Sequence, residues 1–278
     1  MILIVMGAIN ISAQERSGYV TYLDYQTIDM AATRTEVFMD RCLDIPYDSI
    51  PRIVPLDSII SELPHIKIQD EYTVKCIVPG SQGRSYDGSR SFDGLTSFIY
   101  ARPVEKTQID STVLHNYPNV DYDALTDIFD PLTKIAIPEY ASKEFIWEAY
   151  LVSRMYVDMP MYGHANYQKR ILLSTSPWFL DKLKMYEYGP YMKDDHDDPD
   201  LNEYKTICVN HIEAVLRNSD CGPRYRSNYM QERITHWYWT AWGGLEARSI
   251  TVHLSDNSIS FTDPSYITIV GYDSEWMF

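Results

Sequence analysis

The 278-residue chain is short of positive charge. Lys and Arg together number 24 against 39 Asp and Glu, which gives a formal net charge of −15 with histidine neutral. A surface this acidic repels phosphate backbones, which argues against nucleic acid and anionic membranes as partners. The charge is compatible with a basic protein partner or a cation, although solubility alone would also explain it.

Several short motifs that mark common enzyme sites are absent as well. The chain contains no GK[ST], no GxGxxG, no GxSxG and no HExxH. Nucleotide-binding loops, α/β-hydrolase nucleophile elbows and zincin metal sites are therefore not predicted. An enzymatic function would depend on a site that carries none of these signatures.

Apolar runs long enough to span a bilayer, about 18 residues or more, are missing. The first residues are nonetheless apolar from Ile2 to Ile9, and Ser12-Ala13-Gln14 follow. An apolar stretch of this length before small residues is typical of a secretory signal, and its ending resembles the leaders of exported bacterial proteins, although no basic segment precedes it. We interpret residues 1–14 as a signal peptide and predict a periplasmic or secreted protein. The alternative is a buried first strand.

Cysteine is scarce, with 4 residues in the chain. They are Cys42, Cys76, Cys208 and Cys221. No CxxC spacing occurs, so a structural zinc site is not predicted. In an exported protein an even number of cysteines permits two disulfides, whereas the alternative is four buried thiols.

The patterns that are present indicate both strands and helices. Residues 72–78 and 96–104 are rich in β-branched and aromatic side chains, and a Gly- and Ser-rich segment at 80–94 predicts a loop between them. Apolar side chains recur at helical spacing in the middle of the chain, over residues 139–157, 176–189 and 201–217.

Strand patterns return in the C-terminal part, where Gly243-Gly244 separates two strand-like runs and predicts a hairpin. Two further strand-like segments, ISF and YITIVGY, follow it. We therefore predict an α+β fold with a strand-rich N-terminal third, a helical middle and a C-terminal antiparallel β-meander. Residues 15–278 are predicted to form a single domain.

An acidic stretch, KDDHDDPDLNEY, runs from residue 193 to 204. Asp200 and Glu203 are predicted to cap the helix over 201–217. Asp194, His196 and Asp198 remain as a candidate metal site, because alternate positions of a calcium loop supply its ligands. The glycine that such a loop needs is missing, so solvated surface charge is the alternative and no cofactor is required.

A cluster of aromatic residues, HWYWTAW, runs from residue 236 to 242. On a strand, alternate residues share a face, so an open face would present flat rings that stack on sugars or grip a protein partner. The alternative is that both faces lie in the core. The candidate ligand-binding residues are Trp237, Tyr238, Trp239 and Trp242.

Nucleophilic catalysis has two candidate residues, Cys221 and His253. A cysteine and a histidine that lie far apart in sequence form a catalytic pair only if the fold brings them together. His253 lies on a predicted strand, which suits a general base. A disulfide at Cys221 would abolish the nucleophile.

These observations favour a non-catalytic binding protein that meets a protein or glycan partner outside the cytoplasm. The support is mainly the absence of catalytic and nucleotide motifs, together with an acidic and aromatic-rich composition. The alternative is a hydrolase of the cell envelope or the exterior that acts on glycans or peptides.

Overall fold

A computed structural model describes residues 19–22, 52–78, 98–116, 126–158, 170–172, 210–215, 217, 224–228, 231–240 and 244–271. These residues form a mixed α+β fold with antiparallel sheets, which confirms the predicted class. The strands are β1 Tyr19–Tyr22, β2 Arg52–Pro55, β3 Tyr72–Val78, β4 Phe98–Pro103, β5 Arg170–Leu172, β6 Arg224–Asn228, β7 Gln231–Thr240, β8 Gly244–Ser255 and β9 Ser258–Val270. The helices are α1 Asp57–Ile60, α2 Gln108–Asn116 and α3 Lys143–Asp158, with a 3-10 helix at Pro131–Lys134.

The strands of the described residues form two sheets. The small sheet has the order β2-β3-β4. The main sheet has six strands in the order β1-β6-β7-β8-β9, with β5 also paired to β7. On the same edge of β7, β6 pairs as far as Thr235 and β5 pairs from Tyr238 onward. Two different strands therefore flank this edge on either side of His236 and Trp237.

The strand β9 joins two segments that the sequence pattern separates, ISF and YITIVGY. Ser265 pairs with Ser249 and Thr262 pairs with Thr251, so two residues of β9 lie opposite Ile250 alone. One of these two is Pro264. A β-bulge accepts a proline because its extra residue does not have to donate to the ladder, and the strand can therefore continue past the proline.

The helix α3 begins at Lys143, four positions after the predicted start at residue 139. The backbone N–H of Phe145 donates to Ser142 Oγ at 3.1 Å. This is the geometry of an N-cap, in which a side-chain oxygen satisfies a backbone donor of the first turn. The periodicity of apolar residues does not show where the helix begins, because the boundary is set by a single polar side chain.

α3 packs against both sheets. Its residues from 145 to 152 are all buried, and Trp147 is fully inaccessible. One core cluster of buried residues contains Cys76 of the small sheet, Trp147 of α3, and Ile234 and Ile250 of the main sheet. Both sides of this part of the helix are therefore covered, and the Glu148 side chain is held inside the protein.

Several predicted segments lie wholly or partly outside the described residues. They are residues 1–14, the loop at 80–94, the helix over 176–189, the acidic stretch and part of the helix over 201–217. Residues 210–215 of the third predicted helix are helical, with His211 exposed and the neighbouring Ile212 fully buried. No helix among the described residues is both long and apolar enough to cross a membrane.

Candidate functional site on the outer face of the main sheet

The two faces of the main sheet differ in chemistry. Ile234 and Ile250 lie in the core cluster, and Tyr225 packs against it. Since side chains alternate between faces along a strand, the residues between these positions point the other way. We call the face towards α3 the inner face and the opposite one the outer face.

The aromatic candidate Trp237 lies on the outer face of β7 and is half-buried. Ala247 is directly opposite it on β8. A methyl group cannot cover an indole ring as a large cross-strand neighbour would, so part of the ring remains available for contact. Tyr238 and Trp239 take strand positions opposite Glu246 and Leu245, and Trp242 lies outside the described residues.

Three arginines lie on the same outer face. Arg226 of β6 is directly opposite Arg233 of β7, and Arg224 is opposite Thr235. All three arginines are half-buried. A protein with a net charge of −15 thus gathers three guanidinium groups on neighbouring positions of one face. We call Arg224, Arg226 and Arg233 the arginine trio.

A row of hydroxyl groups continues from the arginine trio across the sheet. Thr251 of β8 is opposite Arg233, and Thr262 of β9 is opposite Thr251. The outer face therefore offers an indole ring, positive charge and hydroxyl groups within a few strand positions of one another. Stacking surfaces and hydrogen-bond donors of this kind suit a polar ligand that carries rings.

The candidate base His253 is exposed on the outer face of β8. Its Nε2 forms a hydrogen bond with the Thr262 hydroxyl. A histidine in contact with a hydroxyl has the geometry of a base with a nucleophile. Among the described residues no carboxylate binds the other ring nitrogen, so the third member of a catalytic triad is not seen there. Cys221 lies outside the described residues, and its pairing with His253 stays a prediction.

On the inner face, His236 is buried against α3. Its Nε2 lies 3.0 Å from the Tyr150 hydroxyl, and its ring lies 5.7 Å from the Trp147 ring. Burial, and after it the charge of Arg248, lowers the pKa of His236 to about 3. The imidazole is therefore neutral at physiological pH and acts as an interior hydrogen-bonding group.

A second buried polar group connects α3 to the segment before β3. The Glu148 carboxylate is almost fully buried. It accepts one hydrogen bond from the backbone N–H of His65 and contacts the ring Nδ1 of the same residue, both at 2.9 Å. This pair joins two parts of the chain that are distant in sequence, which is a structural role.

A third polar network fastens α2 to β4. Arg102 donates to both carboxylate oxygens of Asp110, at 2.7 and 2.6 Å, and the Tyr100 hydroxyl donates to the same carboxylate at 2.8 Å. Burial alone would raise the pKa of Asp110, but the hydrogen bonds from Arg102 and Tyr100 outweigh it and lower the pKa. Both oxygens of the Asp110 carboxylate accept these hydrogen bonds, which gives the carboxylate a structural role.

The metal and disulfide predictions depend largely on residues outside the described ranges. Asp194, His196 and Asp198 lie outside the described residues, so calcium binding there stays a prediction. No group of three or more His, Cys, Asp or Glu side chains within the described ranges is arranged to hold a metal ion. Cys76 is a buried thiol whose Sγ contacts the Ile77 carbonyl oxygen. Cys42, Cys208 and Cys221 lie outside the described residues, so the two disulfides stay a prediction.

Sequence reasoning missed the arginine trio. The spacing of Arg224 and Arg226 on a strand already places both on one face. What could not be seen is that Arg233 lies across from Arg226, because that depends on strand register. Comparison with known proteins adds no guide, since no family model, no curated protein and no solved structure matches the chain.

Proposed function

We propose that the protein is an exported, non-catalytic binding protein that recognises a glycan through the outer face of the main sheet. The observation that carries this proposal is the half-buried Trp237 opposite Ala247. Flat aromatic rings provide a large contact area at a low cost in conformational entropy. The hydroxyl groups and guanidinium groups beside the ring supply the polar contacts that orient a sugar.

The proposal includes the features expected from the sequence. Residues 1–14 would direct export to the periplasm or the exterior, where the partner is met. Residues 15–278 would form one domain with a strand-rich first third, a helical middle and a C-terminal meander. A protein partner is the other class that an aromatic surface fits, and the experiment below separates the two.

The test is binding of the full chain to an array of neutral and charged polysaccharides, followed by calorimetric titration of each hit. We expect Trp237→Ala to weaken binding at least about tenfold, as the loss of a stacking contact predicts. Tyr140→Ala is the matched control, because Tyr140 is an exposed aromatic residue outside both sheets. Unchanged melting curves would show that both variants are folded. Absence of any glycan binding, or equal losses in the two variants, would count against the proposal.

A second candidate function, a hydrolase, is favoured by the hydrogen bond between His253 and Thr262. His253 would take the proton of the Thr262 hydroxyl, and the hydroxyl oxygen would attack an ester or peptide carbonyl carbon or a glycosidic carbon. The bond to the leaving alcohol or amine would then break as the protonated His253 returns the proton to that group. Water, deprotonated by His253, would hydrolyse the covalent intermediate and regenerate the Thr262 hydroxyl. Assays with chromogenic esters, peptides and glycosides test this idea. Activity that is lost in both Thr262→Val and His253→Gln would support it. Activity that survives both changes and is lost in Cys221→Ser would instead favour a cysteine nucleophile.

A further inference from the structure

The strand β9 lies at one edge of the main sheet. Among the described residues, β8 is its only partner strand, and no backbone hydrogen bond leads from β9 to any other segment. An edge strand presents a row of N–H and C=O groups with which a further strand can pair. At 13 residues β9 is the longest strand described, so this row is a long one.

One half of β9 lacks the features that protect natural edge strands. Charged side chains and prolines discourage pairing with another chain, and β9 has them at its centre, where Asp263 and Pro264 lie opposite Ile250. Residues 265–268, SYIT, carry neither and pair with β8 in regular register before a second irregularity at Ile269. We call residues 265–268 the edge segment. Its aromatic and β-branched residues favour strand pairing.

The edge segment is open to solvent on both faces of the sheet. Ile267 lies on the outer face opposite Ala247 and is 56 % exposed. Thr268, the next residue and therefore on the inner face, is exposed as well. Apolar surface gains free energy when it is removed from water, so Ile267 favours a partner that covers it.

The charge distribution points to a second copy of the chain as this partner. Two copies with a net charge of −15 each repel one another over most of their surfaces. The edge segment is uncharged, so two copies meet there without opposing like charges. In a pair related by a two-fold axis the same segment serves both copies, and an uncharged strand is complementary to itself. A basic partner would gain nothing from a segment without acidic side chains.

A two-fold axis at Ile267 gives the register that covers the exposed isoleucine. Each Ile267 then lies opposite its copy on the outer face, and Tyr266 lies opposite Thr268. Asp263 comes opposite Gly271 in this register. The acidic residue of one β9 therefore does not oppose that of the other.

We propose that β9 pairs antiparallel with β9 of a second copy through the edge segment, so that the two main sheets form one continuous sheet. The axis is perpendicular to the sheet and turns both outer faces to the same side. Trp237 lies on β7, two strands from the edge in each copy, so five strand spacings, about 24 Å, separate the two positions. The dimer goes beyond the proposed glycan binding and would make that binding bivalent.

Sedimentation equilibrium of the full chain measures this association. We expect a monomer–dimer equilibrium with a dissociation constant of about 10–100 μM, because a short strand pair buries a small interface. Added salt should strengthen the dimer, since it screens the repulsion between two acidic copies. A protein that stays monomeric up to about 1 mM would overturn the proposal.

The variant Ile267→Lys shows whether the edge segment is responsible. Lysine protects edge strands, and in the dimer two lysines would face each other. We expect the dissociation constant to rise at least tenfold, even though the change lowers the net negative charge of each copy. Leu254→Lys is the matched control, because Leu254 is also an exposed apolar residue of the main sheet but lies on β8. It should dimerise like the wild type.

A mixture of two charged variants separates a blocked contact from a chain that does not fold. Ile267→Glu alone should be as monomeric as Ile267→Lys. An equimolar mixture of the two should form a heterodimer, because opposite charges then lie across the strand pair. In the wild type, the amides of the edge segment should exchange with deuterium more slowly in concentrated than in dilute solution.

The outcomes against the dimer are distinct from those against the proposed function. A dimer that Ile267→Lys leaves unchanged, or that Leu254→Lys weakens equally, would overturn pairing through the edge segment. Absence of a heterodimer in the mixture would also overturn it. A monomeric protein that binds a glycan through Trp237 would overturn the dimer alone and leave glycan binding intact.

Discussion

At the level of single residues, burial decides the protonation state of His236. Its pKa in the folded protein is about 3, far below the ordinary value of 6.5. The unfolded chain therefore binds a proton at this residue more readily than the folded protein does. Stability that is fully present above about pH 6.5 must be lost as the pH falls towards 3.

We expect His236 to make the protein less stable at acidic pH. Between pH 6 and pH 4 the free energy of unfolding should fall by roughly 1.4 kcal/mol for each pH unit because of this residue. In His236→Gln, which keeps a polar partner for the Tyr150 hydroxyl, this slope should become shallower. Urea unfolding at several pH values measures it. His253→Gln is the control for an exposed histidine and should keep the wild-type slope; an unchanged slope in His236→Gln would contradict the explanation.

The buried carboxylate of Glu148 is stabilised by two contacts with His65, one with its backbone N–H and one with its ring. We expect His65→Ala to lower the free energy of unfolding by about 1–3 kcal/mol, because a buried acceptor loses one of its two partners. Lys67→Ala removes a neighbouring ion pair in which both side chains are mostly exposed to water, and it should change little. Denaturant titrations at pH 7 measure both changes. Similar small effects for the two variants would show that the contact with Glu148 contributes nothing.

At the level of elements, the helix α2 is held to β4 by one carboxylate. Removing Asp110 would leave Arg102 buried without its ion-pair partner, and such an unpaired charge is costly. We expect Asp110→Ala to lower the free energy of unfolding by about 3 kcal/mol, the lower end of the usual range, since Asp110 retains some contact with water.

Asp127→Ala is the matched control for Asp110→Ala. This change breaks the ion pair between Asp127 and Lys106, in which both side chains are about one third exposed to solvent. It should lower the free energy of unfolding by less than about 1 kcal/mol. Hydrogen exchange adds a local measurement. The amides of α2 should exchange faster than in the wild type in Asp110→Ala, but not in Asp127→Ala. Uniformly faster exchange over the whole protein would instead mean that the ion pair acts on global stability and does not anchor this helix.

At the level of the whole molecule, the core cluster joins the two sheets through α3. Ile99 of β4 and Ile250 of β8 both belong to it. We therefore predict one cooperative unfolding transition, with coincident midpoints by circular dichroism and tryptophan fluorescence. Ile99→Ala and Ile250→Ala should each lower stability by about 2–5 kcal/mol and shift both probes together.

The exposed Ile267 supplies the control for this experiment, since Ile267→Ala should change stability little. If Ile99→Ala moved only one probe, or if the transition split in two, the small and main sheets would be separate folding units. The prediction that residues 15–278 form one domain would then be wrong.

Much of the local structure could be read from the sequence. The β-branched segment at residues 72–78 is β3 with the bounds predicted, and the run before Gly243-Gly244 pairs with the run after it. Alternation and β-propensity act over a few neighbouring residues, so they are visible in the chain itself. The α+β class follows from the order of such segments.

Only the tertiary structure decided the features that depend on how the elements pack and how the strands pair. Burial against α3 keeps His236 neutral, and strand register brings Arg233 opposite Arg226. A shift of one residue in register would turn either arginine to the other face, and no local pattern specifies that register. The sequence alone therefore determined which segments are strands and which side chains share a strand face, whereas the outer face as a candidate site exists only because the sheet aligns those strands.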